Sequence, residues 1–160
     1  MALEFSSAGV QIRYCVETSA GSRPTTGYKV IPSIKSSPDF NAEPSQLDVT
    51  DFSDKVWKRS IAGLRDVGGA IAFTANMTAS FKTAWNSLIS AYTTGRGSTP
   101  AKSTWFEVAI PNFDSFYFSG EPIELGIKGM DVDSVVEADG YVVPNKIYGW
   151  GTSSTSVISA

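Results

Sequence analysis

The chain has no histidine, one cysteine and no long apolar run, and each shortage removes a class of function. Without histidine it lacks the side chain that most often serves as general base and as metal ligand. A nucleophilic serine or cysteine is then left without its usual proton acceptor. The single Cys15 rules out an internal disulfide framework and any cysteine-rich zinc site. No basic cluster stands near it in the sequence to lower its pKa, so it reads as a half-buried strand residue and not as a reactive thiol. No apolar stretch approaches the roughly 20 residues of a membrane-spanning helix. Residues 1–9 contain Glu4 and have neither a basic start nor an apolar centre, so they do not read as a signal peptide, and synthesis and folding in the cytosol are expected. Asn76-Met77-Thr78 matches the glycosylation pattern, which has no consequence without secretion. Charge is also scarce: 18% of residues are charged, the net charge is −3 and the pI about 4.9. Such a chain has no electrostatic drive to hold phosphates.

What remains is a chain of 160 residues, 42% hydrophobic, with no internal repeat and no linker. It reads as a single domain, 1–160, with loose terminal arms at about 1–9 and 151–160. The one strong helix is expected over 79–94. Phe81, Trp85, Leu88, Ile89 and Tyr92 recur at helical spacing, Thr78 can cap its start, and Gly95 can end it in the left-handed conformation. Most of the rest alternates with the period of strands. Val10, Ile12, Tyr14 and Val16 alternate with Gln11, Arg13, Cys15 and Glu17. Further strands are expected at 27–34, held to an edge or an end by Pro32, and at 47–52, 56–62 and 70–76. Others follow at 104–110, around Phe116 and Phe118, at 123–127 and 130–139, and briefly at 141–143 before Pro144. The heptapeptide from Gly63 to Gly69 reads as a turn. Short strands with one central helix predict a mainly β fold, a β-sandwich or rolled β-barrel with one amphipathic α-helix packed on the outside.

Motifs that carry chemistry are weak. Gly95 to Ser103 lacks the Gly-Lys-Ser/Thr ending of a phosphate loop and follows a helix where that motif needs a strand. Asp131, Asp133, Glu137 and Asp139 alternate along one expected strand. Catalytic carboxylate pairs flank a substrate from separate elements, so a solvated acidic face is the better reading. These aspartates also lack the loop pattern of a calcium cage. No catalytic residue, cofactor or metal ligand is assigned. Ser36, Pro38, Asp39, Phe40, Asn41, Glu43 and Pro44 belong to a long polar loop, too punctuated to form an element; such loops are often functional.

Several stretches, in order, resemble a known family. They are Glu17-Thr18, Arg23 to Tyr28, Ile31 to Ile34, Leu47 to Thr50, Gly63 to Gly69 and Phe73 to Asn76, then a helix with a central Trp85. Thr104 to Pro111, Phe116 to Gly120 and Asp133 to Glu137 continue the series. Over roughly 10–150 the chain is similar to the tail tube, or major tail, proteins of tailed bacteriophages, of the type common in phages of Gram-positive bacteria. No piece is a sharp motif; order and spacing carry the likeness.

The resemblance implies a non-enzymatic virion protein of the tail, made in the host cytoplasm. It implies homo-hexameric rings stacked into a hollow tube, with a tape-measure protein, a tail terminator and tail tip or baseplate proteins as partners. DNA passes through without specific binding, and no membrane is involved. Related subunits use a long loop between early strands where rings meet, so the 33–45 segment is expected to be mobile in the monomer and to order there, with Phe40 as an exposed anchor. A bore that must not retain DNA favours acidic walls. At least two of Asp131, Asp133, Glu137 and Asp139 are therefore expected to face the lumen, with Met130, Val132, Val136 and Ala138 turned into the core. The alternative is a β-sandwich binding module, such as a capsid decoration or surface carbohydrate-binding protein. It would cluster exposed aromatics at one loop end, whereas Trp57, Trp85, Trp105 and Trp150 are scattered in sequence.

Overall fold

The computed structural model describes Glu4 and residues 7–154. Nine strands and one helix follow one another in it: β1 (Gln11–Val16), β2 (Lys29–Ile31), β3 (Ile34–Ser36), β4 (Pro44–Asp48), β5 (Ser60–Arg65), β6 (Ile71–Asn76), α1 (Ala79–Arg96), β7 (Thr104–Ala109), β8 (Ser115–Pro122) and β9 (Glu137–Gly151). Seven of them form one sheet in the order β2-β1-β7-β8-β9-β6-β3, every adjacent pair antiparallel. β2 and β3 are its two edges, yet only Pro32 and Ser33 separate them in the chain. A two-residue link cannot span an open sheet of seven strands, so the sheet rolls until its edges approach. The result is the expected mainly β fold, a nearly closed barrel with one helix. Pro32 sits just past the edge strand, where its missing N–H costs no ladder bond, and Ser33 takes the link through the left-handed region at φ 67°.

Alternation fixes which side chains point inward. Ile12 faces Val108, Tyr14 faces Phe106, and Phe106 faces Phe118 across successive ladders. Phe73, Ala75, Ala138 and Val142 complete this surface from β6 and β9. The helix lays Phe81, Trp85 and Leu88 on the same cluster, all buried, and leaves Lys82, Asn86 and Ser87 in solvent. The Thr78 hydroxyl accepts the Phe81 N–H at 3.1 Å, as its position before the apolar stripe predicts. Trp85 reaches furthest across the core, to Gly140 on β9, and donates its indole N–H to the Ile123 carbonyl at 2.9 Å.

Gly95 corrects one expectation. It does not end the helix, which continues to Arg96 with Gly97 as its cap in the right-handed region. Gly95 is buried because the helix passes close to β1 there: a Cβ would lie 2.8 Å from Val16 Cγ1 and 3.3 Å from the Lys102 carbonyl. Helix propensity alone favours alanine over glycine by about 1 kcal/mol. The contact reverses the sign, so Gly95→Ala is expected to lower stability by about 1–2 kcal/mol in urea unfolding. A gain in stability would show that Val16 yields freely.

Residues 123–136 differ more. Two strands were expected here, and none forms. They find no place beside β9, the strand that follows them, since β8 and β6 already occupy both its sides. Asp133, at φ 64°, interrupts the extended backbone. Met130, Val132 and Val136 are exposed, Val132 at 95%; of the four residues expected in the core only Ala138 is there. β9 in turn runs far past the expected stop at Pro144, because the ladder shifts register opposite Gly120, where proline's missing N–H is tolerated.

Candidate functional site

Among the described residues apolar surface is exposed in two main places, one of them the 123–136 segment. The larger lies on the hairpin β4–β5, which belongs to a separate two-stranded sheet. Its register pairs Pro44 with Arg65, Leu47 with Ile61 and Asp48 with Ser60, with an irregularity where Gly63 passes over Ser45. Every residue of β4 is exposed, as are all of β5 but Gly63. The sequence placed these strands at 47–52 and 56–62, several residues too near the turn, and read Gly63 to Gly69 wholly as a turn. β5 in fact continues through Arg65.

The turn is held by polar bonds while its apolar side chains point away. Arg59 bridges Asp51 at 3.0 Å and Asp54 at 2.8 Å. Val49 N–H donates to the Arg59 carbonyl at 3.0 Å and Arg59 N–H to the Thr50 hydroxyl at 2.9 Å. The Ser53 hydroxyl and N–H hold the Asp51 carboxyl below its ordinary pKa, and Arg59 does the same to Asp54. Phe52 is fully exposed, and Val56, Trp57 and Leu64 are 80, 82 and 89% exposed. A two-stranded hairpin is marginal alone in water, and this one keeps its apolar side chains out of its own core.

At the root, the 37–43 loop folds back on the barrel. Arg65 donates to the Ala42 carbonyl at 2.6 Å and to Asn41 Oδ1 at 3.1 Å. Phe40 is half-buried, its ring 5.0 Å from Phe116 and 4.7 Å from Phe118. It is not the exposed anchor expected: a large aromatic on a polar loop docks on the nearest apolar surface. Beside it opens a cavity of about 300 Å³, lined by residues 38–41, Arg65, Val108, Phe116 and Trp150.

The four acids do not share a strand face. Asp131 and Asp133 lie exposed on the 123–136 segment. Glu137 and Asp139 open β9, where Lys35 approaches Glu137 at 2.6 Å and Lys128 reaches Asp139 at 3.5 Å. The Lys35 bond and charge hold Glu137 below its ordinary pKa. Thr74 also donates to Asp139 at 3.1 Å.

The face of the sheet opposite the main core cluster holds a polar network that the sequence reading missed. Arg13 and Glu107, both buried, pair at 3.2 Å. Ser154 bonds Glu107 through its hydroxyl at 2.7 Å and its N–H at 3.0 Å. The Tyr117 hydroxyl lies 2.8 Å from the same carboxylate and 2.6 Å from the Thr152 carbonyl. Burial and the neighbouring Glu107 push that hydroxyl up to about 12. Residues 152–154, expected to be loose, are therefore clamped; the rest of the C-terminal arm lies outside the described residues. Arg23 stacks over Tyr117 at 4.2 Å and Tyr148 at 4.3 Å and fastens the 17–27 loop to this side. Cys15, half-buried here, has its thiol pushed up by burial. The only sequence signal for the network was a pair of opposite charges on two strands' wetter faces.

The sequence matches no protein-family model and no curated protein. The fold does have likenesses among solved structures. One is a chain in the six-fold symmetrised structure of the anti-feeding prophage (AFP) baseplate, with a TM-score of 0.59 at 10% identity, covering 94% of this chain and 98% of that one. Another is a chain in the tail of an empty GTA particle, refined helically with C6 symmetry. There the TM-score is 0.55 at 13% identity, covering 94% of this chain and 99% of the other. At such identities the likeness is one of fold.

Proposed function

We propose that the chain is a structural subunit of a phage or phage-like tail, and more narrowly a tail tube protein of the kind found in phages of Gram-positive bacteria. Its work is assembly: six copies close a ring, rings stack into a hollow tube around a tape-measure protein, and the tube conducts DNA. A terminator and tip or baseplate proteins bound its two ends. The mechanism involves no covalent chemistry, and the protein resides in the virion after synthesis in the host cytoplasm.

The observation that carries this reading is a fold shared over 94% of this chain with a chain of a six-fold symmetrised baseplate and a chain of a tail refined with C6 symmetry. The exposed apolar hairpin supports it. So do β2 and β3, two short edge strands through which a neighbour can extend the sheet. A heterologous contact between such surfaces stops growing when rotation closes it into a ring. We assign residues 36–44 to the contact between rings, and Asp131 and Asp133 to the bore, where a repeated ring of acids would keep DNA moving in a layer of counterions. Glu137 and Asp139, each beside a lysine, contribute less charge there.

Electron microscopy of the purified protein at high concentration is expected to show rings or tubes with a central hole. Monomers alone, at every concentration and salt tried, would overturn the reading. A reconstruction of the tube that places Asp131 and Asp133 on its outer wall would remove the bore assignment and leave the rest.

A further inference from the structure

The last turn of α1 meets the start of β7, and with parts of β8 and β9 they enclose a second cavity of about 220 Å³. One of its wall residues is Thr104, which is 1% exposed and whose hydroxyl has no hydrogen-bond partner among the described residues. Thr104 shares the face of β7 that carries Phe106 into the core, so its side chain points toward the helix. A buried hydroxyl left unmet is costly. Arg96, Lys102 and Glu121 also line the cavity, and none of them makes an ion pair among the described residues. Lys102 is half-buried, and its backbone N–H donates to the Gly95 carbonyl at 2.9 Å, which fixes the residue against the helix end. Arg96 donates to the Tyr92 hydroxyl oxygen at 2.8 Å, which leaves the phenolic hydrogen to be given elsewhere.

We propose that this cavity binds the carboxylate of an aspartate or glutamate side chain carried by another protein chain. Arg96 and Lys102 hold the charge, Thr104 and Tyr92 donate their hydroxyl hydrogens, and Glu121 accepts a main-chain N–H of the incoming segment. The end of α1 brings about half a negative charge and Glu121 a whole one, against two positive charges, so the balance favours an anion. Size narrows the choice: the cavity lies below the roughly 300 Å³ at which pockets for drug-sized ligands begin, and suits one side chain. Glu121 narrows it further. A phosphate would set more negative charge against that carboxylate and offer it no donor, whereas a peptide carries an N–H beside every acidic side chain. The site stands apart from the tube reading and does not depend on it.

Titration of the nitrogen-labelled full chain with doubly blocked aspartate, acetylated at its amine and amidated at its main-chain carboxyl, tests it by NMR. Saturable shifts are expected at the amides of 92–96, 101–104, 120–121 and 145. Doubly blocked asparagine, which has the same shape without the charge, is expected to bind roughly tenfold more weakly. Thr104→Val keeps the shape and removes the hydroxyl. It is expected to weaken binding of the aspartate probe about two- to tenfold without lowering the unfolding midpoint. Arg96→Gln with Lys102→Gln is expected to abolish the binding. An equal response to the two probes, or none to either, would overturn the site. So would a Thr104→Val protein that is destabilised yet binds the aspartate probe unchanged, because the hydroxyl would then serve a buried water.

Discussion

Glu107→Ala is expected to destabilise the protein by about 3–5 kcal/mol, the range for stripping one partner from a buried ion pair. Arg13 would stay charged and buried, with Gln11 and Ser154 as its remaining partners. Ser154 and Tyr117 would each lose an acceptor as well. Denaturant unfolding at neutral pH measures the loss. Replacing both charges, as Arg13→Met with Glu107→Leu, is expected to cost much less than Glu107→Ala, because no orphaned charge remains. Equal losses would mean that the damage is to packing. The effect also depends on pH. Burial raises the Glu107 pKa, but the bonds from Ser154 and Tyr117 outweigh it, and the carboxyl lies below its ordinary 4.5. A depressed folded pKa contributes stability above the unfolded value, and that stability is lost as pH falls through the folded one. The gap between wild type and Glu107→Gln should therefore be full at neutral pH and shrink once the pH drops below 4.5.

Trp85→Ala is expected to cost about 3–5 kcal/mol, as removal of a fully buried tryptophan does. It empties the space between helix and sheet and leaves the Ile123 carbonyl without its donor. The partner position is as sensitive in the opposite direction. A Cβ on Gly140 would fall 2.5 Å from the Trp85 ring, so Gly140→Ala should cost about 1–3 kcal/mol by overpacking. Because the two changes err in opposite directions at one spot, Trp85→Leu with Gly140→Ala should cost less than the sum of its parts, by about 0.5–3 kcal/mol in a double-mutant cycle. Strict additivity would show that the helix shifts as a body and never feels the glycine.

Trp85 was legible in the sequence because helical spacing ties it to Phe81 and Leu88 on one short segment. β1 and β7 were legible for the same kind of reason: their alternation is local and the sheet has a place for them. The stretch from Met130 to Asp139 alternates equally well, and mostly does not form a strand. Alternation shows which face a strand would bury, but it cannot show whether a neighbouring strand is free to pair. The hairpin defeats the rule in another way. Trp57 and Ile61 were placed together on one strand at 56–62, whereas Trp57 lies before β5 and Ile61 on it, both exposed on a projection. The Arg13–Glu107 pair joins residues 94 positions apart, and nothing near either residue points to the other. Phe40 shows the reverse: its loop was read from its polar neighbours as running over 36–44, of which Ser36 and Pro44 belong to strands, and the one aromatic among them decided where it lies.

The hairpin and the cavity at its root also differ in when folding can complete them. Strands β4 and β5 pair over at most the 44–65 interval, so the projection can form in roughly 1–10 μs, as local hairpins do. The cavity needs Phe40, Val108, Phe116 and Trp150, drawn from a loop and three strands across most of the chain. Contacts of such sequence separation close slowly. A nascent chain therefore has its hairpin long before it has the cavity at the hairpin's root. The cavity exists only after β7, β8 and β9 have come together. The cavity thus reports completion of the barrel, whereas the hairpin does not.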